Sequence, residues 1–246
     1  MERNSPGTIQ AIWGRGGKLS IAQSLEGGME DRSQEATLLL VRHGETGWNA
    51  EGRVQGHQNS RLSERGREQG RLVAERLSTM KVEAVYSSDL GRARETAEMV
   101  AKLHGLTVKP AFALRERNYG VLEGKTLDEA ARTQGIWFMA WHADRLHHAP
   151  PGGENHADMC HRVIEALRAI SAAHPGRTVV VVTHGGPIKA AIYDILRIPL
   201  SLWGLTWVGN GSITTIRGTP DVFRVACLND TCHLESALPK PDEMGD

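Results

Sequence analysis

Apolar positions along this chain follow two periods. From residue 36 onward, short unbroken apolar runs alternate with longer segments in which apolar residues recur every three or four positions. Thr37, Leu38, Leu39, Leu40 and Val41 form the first such run, which stops abruptly at Arg42, His43 and Gly44. A continuous run of this length predicts a strand buried on both faces, followed by a loop. Leu72, Val73 and Leu77 come next at helical spacing, behind Ser63, a residue suited to an N-cap. Arg61, Glu64, Arg65, Arg67, Glu68, Arg71 and Glu75 occupy the rest of that segment. Their alternating signs read as a solvated, salt-bridged helix face and not as a basic patch.

The same alternation continues. Residues 82–86 predict a second strand. Ser88 or Asp89 is the expected cap of a helix carrying Leu90, Ala93, Ala97, Val100 and Leu103, which Gly105 ends. Residues 107–109 suit a third strand. Thr126 and Glu129 make a capping box that opens a short helix. Residues 136–150, with Trp137, Phe138 and Trp141, predict an insertion over the core, helical and then loop. Met159, Val163, Leu167 and Ile170 mark another helix, ended by Pro175 and Gly176. Residues 178–182 repeat the fully apolar pattern and run into Thr183, His184, Gly185 and Gly186, followed by a helix to about Leu196. Residues 212–216 and 222–228 predict an antiparallel or edge pair. Trp203 and Trp207 read as packing residues.

Strands alternating with helices predict an α/β three-layer sandwich. Its central sheet is mainly parallel, with helices on both faces and a helical insertion over the active site. Residues 36–235 are the expected domain, residues 236–246 a C-terminal tail, and residues 1–35 a poorly ordered extension with a short helix around residues 19–25. That extension is rich in Gly, Ser and charge and has no apolar core of a secretory signal.

Charge narrows the partners. The 246 residues hold 29 Lys and Arg against 29 Asp and Glu, and the pI is near 7.2. Such a balance argues against a nucleic acid partner and against a polybasic membrane anchor. No apolar stretch reaches transmembrane length. Cys160, Cys227 and Cys232 are too few for a disulfide framework, which predicts a reducing, cytoplasmic setting. Cys227 is expected in a strand core instead of a zinc site with Cys232 and His233, because no paired metal motif occurs elsewhere. The histidines at 142, 147, 148, 156 and 161 lack the spacing of two ligands on one helix face and read as surface or substrate-loop residues. No metal and no cofactor are expected.

The chemistry gathers at the ends of the two most apolar runs. Ligands of open α/β sheets bind at the carboxyl ends of strands, so His43 and His184 are expected over one crevice. Gly44 and Gly185 would let the backbone turn and approach a ligand. The helix after Gly185 would aim free N–H groups at an anion.

The stretch from Leu40 to Asn49 (Leu-Val-Arg-His-Gly-Glu-Thr-Gly-Trp-Asn) resembles the signature of the histidine phosphatase superfamily, the phosphoglycerate mutase-like group. Four further pieces follow in order: Leu62, Ser63 and Gly66; Ser87 to Ala93 with Thr96 and Ala97; Leu114 to Gly120 with Glu123 and Gly124; and Val182 to Gly185. The resemblance spans residues 36–235. It implies that His43 is a nucleophile forming a phosphohistidine, one ring nitrogen attacking phosphorus while the other donates to a backbone carbonyl. It implies that Arg42, Arg92 and His184 surround the phosphoryl oxygens, with Asn49 adding a hydrogen bond. Glu116 matches the family's acid/base, and Glu123 is the rival carboxylate. Gln55 and Tyr119 are expected to face the substrate.

The family holds both hydrolases and mutases. The short segment between Glu116 and Glu154, and the Pro151-Gly152-Gly153-Glu154 pattern, resemble its phosphatase branch. Residues 228–234 resemble the endings of small-metabolite phosphatases, metal-independent phosphoserine phosphatases among them. The expected function is therefore a metal-independent phosphomonoesterase acting on a small phosphorylated metabolite. One alternative is a cofactor-dependent phosphoglycerate mutase, which Glu116 to Gly120 resembles. The other is an inactive phosphoester-binding module, against which the five matching catalytic positions argue. The resemblance also implies a homodimer through an edge strand; the residues themselves carry no sign of one.

Overall fold

The computed structural model describes residues 32–133 and 135–237. The expectations for most of the N-terminal extension, for a helix around residues 19–25 and for the tail beyond residue 237 lie outside the described residues. Six strands form one sheet: β1 (Ala36–Arg42), β2 (Ala84–Ser87), β3 (Val108–Pro110), β4 (Thr178–Thr183), β5 (Ile213–Gly218) and β6 (Phe223–Asp230). Their order is β3-β2-β4-β1-β5-β6. The first four are parallel, and β5 and β6 form the expected antiparallel pair on one side.

The helices are α1 (Gly47–Ala50), α2 (Glu64–Ser78), α3 (Gly91–Leu103), α4 (Leu127–Thr133), α5 (Gly135–Ala143), α6 (His156–Ala173) and α7 (Gly185–Ile195). The two-residue period of β1 divides its apolar run between two cores. Leu38 and Leu40 pack with Val179 and Val181 against Met159, Val163 and Leu167 of α6 and Ile188 and Ile192 of α7. Leu39 and Val41 pack with Val180 and Val182 against Val73 and Leu77 of α2 and Val100 of α3. Each such side chain, fully withdrawn from water, stabilises the fold by about 1.5–3 kcal/mol. This is the predicted three-layer sandwich, and it explains why β1 and β4 show no polar alternation.

The insertion builds a small core of its own from Leu122, Ala130, Phe138 and Trp141. Its capping box forms as expected: the Thr126 N–H donates to Glu129 Oε2 at 3.0 Å, and the Glu129 N–H donates to Thr126 Oγ1 at 3.1 Å. Ser63 caps α2 by accepting from the Gly66 N–H at 3.0 Å. Arg71 pairs with Glu68 and Glu75 on the exposed face of that helix.

Four expectations need correction. The N-cap of α3 is Leu90, which has no side-chain cap; Ser88 Oγ does accept from the Leu90 N–H, at 3.3 Å, but from two residues upstream. Cys227 lies in β6 but is exposed, because it follows a register shift on the edge strand of the sheet. Trp207 is 71% exposed and contributes little packing, whereas Trp203 packs against the α6–α7 core as expected. His156 is buried beneath Trp203, with ring centroids 4.6 Å apart, and is no surface residue. His142, His147, His148 and His161 are exposed. Among the described residues no group of three or more His, Cys, Asp or Glu side chains could hold a metal ion, and no helix is long and apolar enough to cross a membrane.

Candidate active site

The register of two neighbouring strands brings the two histidines together. β1 and β4 pair in parallel up to Arg42 opposite Thr183. His43 and His184 are therefore the next residue of each strand, and they emerge side by side at the carboxyl edge. Their rings meet edge to face with centroids 5.1 Å apart. Both are buried, at 3% and 0% exposure.

The hydrogen bonds of His43 fix its tautomer. Nδ1 lies 2.7 Å from the Gly44 carbonyl oxygen, which can only accept. Arg92 Nε donates to His43 Nε2 at 3.2 Å, and a guanidinium can only donate. His43 thus carries its hydrogen on Nδ1 and a lone pair on Nε2. Burial, then the Arg92 and Arg42 cations, hold its pKa well below the usual imidazole value, so the ring is neutral at physiological pH.

Arg92 is the second residue of α3 and is itself buried. Besides His43 it donates to the Gly56 and Gln58 carbonyls, both at 2.8 Å. Burial lowers its pKa to about 10, which leaves it charged at neutrality. Arg42 donates to the Val208 carbonyl at 2.6 Å, and its Nε has no protein partner among the described residues. His184 is held neutral by burial and then by the Arg92 and Arg42 cations. Its Nε2 lies 2.8 Å from Ser88 Oγ, while its Nδ1 has no partner among the described residues.

A cleft of about 150 Å³ opens over these groups, lined by Arg42, His43, Asn49, Gln55, Arg92, Glu116 and Tyr119 among others. Larger grooves lie elsewhere, one of about 550 Å³ between α2 and α3, and no histidine lines that one. All predicted site residues except His184 and Gly185 thus line one cleft, and His184 sits directly against His43. Gln55 is mostly buried with an unpaired Oε1. Burial raises the pKa of the Tyr119 phenol, whose ring carries the Arg117 guanidinium at 4.2 Å.

Glu116 takes the place expected for a bound anion. Its Oε2 accepts from the Gly186 N–H at the start of α7, at 3.1 Å, and its Oε1 accepts from the Arg117 N–H at 2.8 Å. Its loop is pinned by Arg162, which donates to the Ala113, Arg115 and Glu116 carbonyls. Glu123, the rival carboxylate, accepts from the backbone of His57, Gln58 and Tyr119, which is a structural role.

The glycines answer to packing more than to ligand approach. A Cβ on Gly44 would lie 2.1 Å from the Gly66 carbonyl oxygen, so glycine is required where β1 meets α2. A Cβ on Gly185 would make only ordinary contact with Arg42. The close approach is one residue later: a Cβ on Gly186 would lie 2.1 Å from Glu116 Oε1.

The sequence did not point to Asn210. This residue follows β4 and α7 in the chain, yet its Nδ2 donates to the His43 carbonyl at 3.1 Å and to Asn49 Oδ1 at 3.2 Å. Asn49 Oδ1 also accepts from the Thr46 N–H and hydroxyl. With its oxygen engaged three times over, Asn49 keeps its amide NH2 for the cleft. The only sequence signal was the Asn210-Gly211 turn dipeptide.

Comparison with known proteins agrees with this geometry. The family model described as histidine phosphatase superfamily (branch 1) matches residues 38–231. Phosphoglycerate mutase-like protein 4 of Arabidopsis thaliana is 39% identical over 204 residues, covering 81% of this chain and 87% of that protein. The metal-independent phosphoserine phosphatase of the same plant is 37% identical over 207 residues, covering 83% and 85%. The solved structure of a mycobacterial glucosyl-3-phosphoglycerate phosphatase superposes with a TM-score of 0.71 at 32% identity, covering 80% of this chain and all of that one. With signature, fold and relatives in agreement, the chain belongs to branch 1 of the histidine phosphatase superfamily.

Proposed function

We propose that the protein is a metal-independent phosphomonoesterase that hydrolyses a small phosphorylated metabolite through a phosphohistidine on His43. The observation that carries this reading is the unprotonated Nε2 of His43, which accepts from Arg92, in a buried ring held neutral between two arginines. In the first step Nε2 attacks phosphorus, the P–N bond forms and the P–O bond to the leaving group breaks. Glu116, as a carboxylic acid, gives its proton to the departing alkoxide. In the second step Glu116 takes a proton from water, the water oxygen attacks phosphorus, and the P–N bond breaks with its electron pair returning to Nε2.

Arg42, Arg92 and His184 surround the transferring phosphoryl group, and the Asn49 amide adds a hydrogen bond. Fixed donors of this kind act most strongly on charge in the transition state, and the guanidinium groups supply the charge that many phosphatases take from a metal ion. Gln55 and Tyr119 face the leaving group. Phosphatase-named relatives support hydrolysis over transfer, as does the short insertion. The free thiols of Cys160, Cys227 and Cys232 fit a cytoplasmic setting.

A mutase is the second reading, favoured by the Glu116 to Gly120 loop and by the mutase-like relative. The test follows 3-phosphoglycerate, phosphoserine and sugar phosphates in chelator, with and without 2,3-bisphosphoglycerate. Phosphate release that persists in chelator and is lost in His43→Ala is the expected outcome. Bisphosphoglycerate-dependent formation of 2-phosphoglycerate with little free phosphate would make the protein a mutase. A fully active His43→Ala protein would end the phosphohistidine mechanism.

A further inference from the structure

We propose that Ser88 is a positioning residue that fixes the tautomer of His184, so that His184 offers an Nδ1–H donor to the phosphoryl group. The inference rests on the reading of His184 as a phosphoryl ligand, and it comes from an accounting of donors and acceptors. Ser88 is fully buried. Its Oγ accepts from the Leu90 N–H at 3.3 Å and lies 2.8 Å from His184 Nε2. No other acceptor is found for the Ser88 hydroxyl hydrogen among the described residues. If His184 Nε2 donated to Ser88, that hydrogen would be left buried and unpaired, which is costly. The arrangement that satisfies both groups has the hydroxyl donating to Nε2.

A neutral imidazole has one donor and one acceptor nitrogen. With Nε2 accepting, the hydrogen sits on Nδ1, the ring nitrogen that has no partner among the described residues. Its waiting partner is then a phosphoryl oxygen. The opposite tautomer would turn a lone pair toward that oxygen and repel it. The architecture supports this control. Ser88 directly follows β2, and its N–H donates to the Val182 carbonyl of β4 at 3.0 Å, so the serine and His184 are tied to neighbouring strands. His43 is fixed by a backbone carbonyl and His184 by a side chain, and both rings end with the hydrogen on Nδ1. On His43 that leaves the nucleophilic nitrogen unprotonated; on His184 it makes a donor.

The test is nitrogen-15 NMR of histidine-labelled full-length protein, with inorganic phosphate as the ligand, on wild type, Ser88→Ala and Ser88→Thr. The expected wild-type spectrum has His184 protonated on Nδ1 and bare on Nε2. Ser88→Ala should move the population toward Nε2–H and lower kcat by about tenfold to a hundredfold with a smaller change in KM, less than the roughly 10²–10³ for removing a transition-state donor outright. Ser88→Thr keeps the hydroxyl and should restore both. A wild-type His184 protonated on Nε2 would overturn the proposal, as would Ser88→Ala with the wild-type tautomer and full kcat. Should Ser88→Ala fail to fold, the wild-type spectrum decides alone. If instead His43→Ala stayed active, the phosphohistidine reading would fail while the tautomer result stood on its own.

Discussion

The proposed chemistry uses two neutral buried imidazoles, and buried imidazoles make a fold sensitive to acid. His43, His184 and His156 are 3%, 0% and 5% exposed, and burial is the largest cause of the lowered pKa of each. His156 is pushed down to about 3. In the unfolded chain the same groups titrate near an ordinary value of about 6.5. Between these limits the unfolded chain binds protons that the folded protein refuses. Stability is therefore full above pH 6.5 or so and falls as the pH drops, by about 1.4 kcal/mol per pH unit for a histidine that stays neutral in the fold. At pH 5 the cost is about 2 kcal/mol for His156, against the usual 5–15 kcal/mol of a domain, and His43 and His184 shift stability in the same direction. Asp89, Asp144 and Asp230 have pKa values lowered from the ordinary carboxylate value and stay ionised down to pH 5. His174 and His233 shift in the same direction as the three buried rings and add to the effect. His156→Phe isolates one share, since a phenyl ring keeps the stack on Trp203 and lies outside the proposed chemistry. Urea unfolding followed by circular dichroism at pH 7.5 and pH 5.0 should find wild type losing about 2 kcal/mol more than the variant between the two conditions. Equal losses in the two proteins would refute the reasoning, because His156 would then be taking up a proton in the folded state.

Three further outcomes follow from the site. Arg92→Met removes three donated hydrogen bonds and one cation beside the nucleophile; kcat should fall by about 10²–10³, and the acid limb of a pH profile of kcat/KM should move to higher pH as the His43 pKa rises. Gly186→Ala should leave thermal stability nearly unchanged, since the obstructed atom is the far end of a flexible side chain. It should nonetheless slow hydrolysis of alkyl phosphates by about a hundredfold through displacement of Glu116, with p-nitrophenyl phosphate, whose leaving group needs no proton, far less affected. Asn210→Ala frees Asn49 to rotate and should weaken inhibition by inorganic phosphate by about tenfold, corresponding to about 1.4 kcal/mol for one lost hydrogen bond, as read from Ki.

Much of this protein was written in local sequence. The apolar runs ending at Arg42 and Thr183 determined two doubly buried strands, because only a strand covered on both faces lacks polar alternation. The Leu40 to Asn49 signature determined the family and, with it, which histidine to examine. Ser63, Thr126 and Glu129 determined their helix starts, since a cap is made within four residues. Other features depended on contacts between distant segments. The pairing of Arg42 with Thr183 decided that His43 and His184 would touch, and a register is a property of two strands. Burial decided the state of His156, which had read as a surface histidine, and it decided the exposure of Cys227 and Trp207. Gly186 matters because Glu116 arrives from 70 positions away, and Asn210 because Asn49 lies 161 positions upstream. No local pattern encodes such pairs, because the partner that gives each residue its role is supplied by the fold.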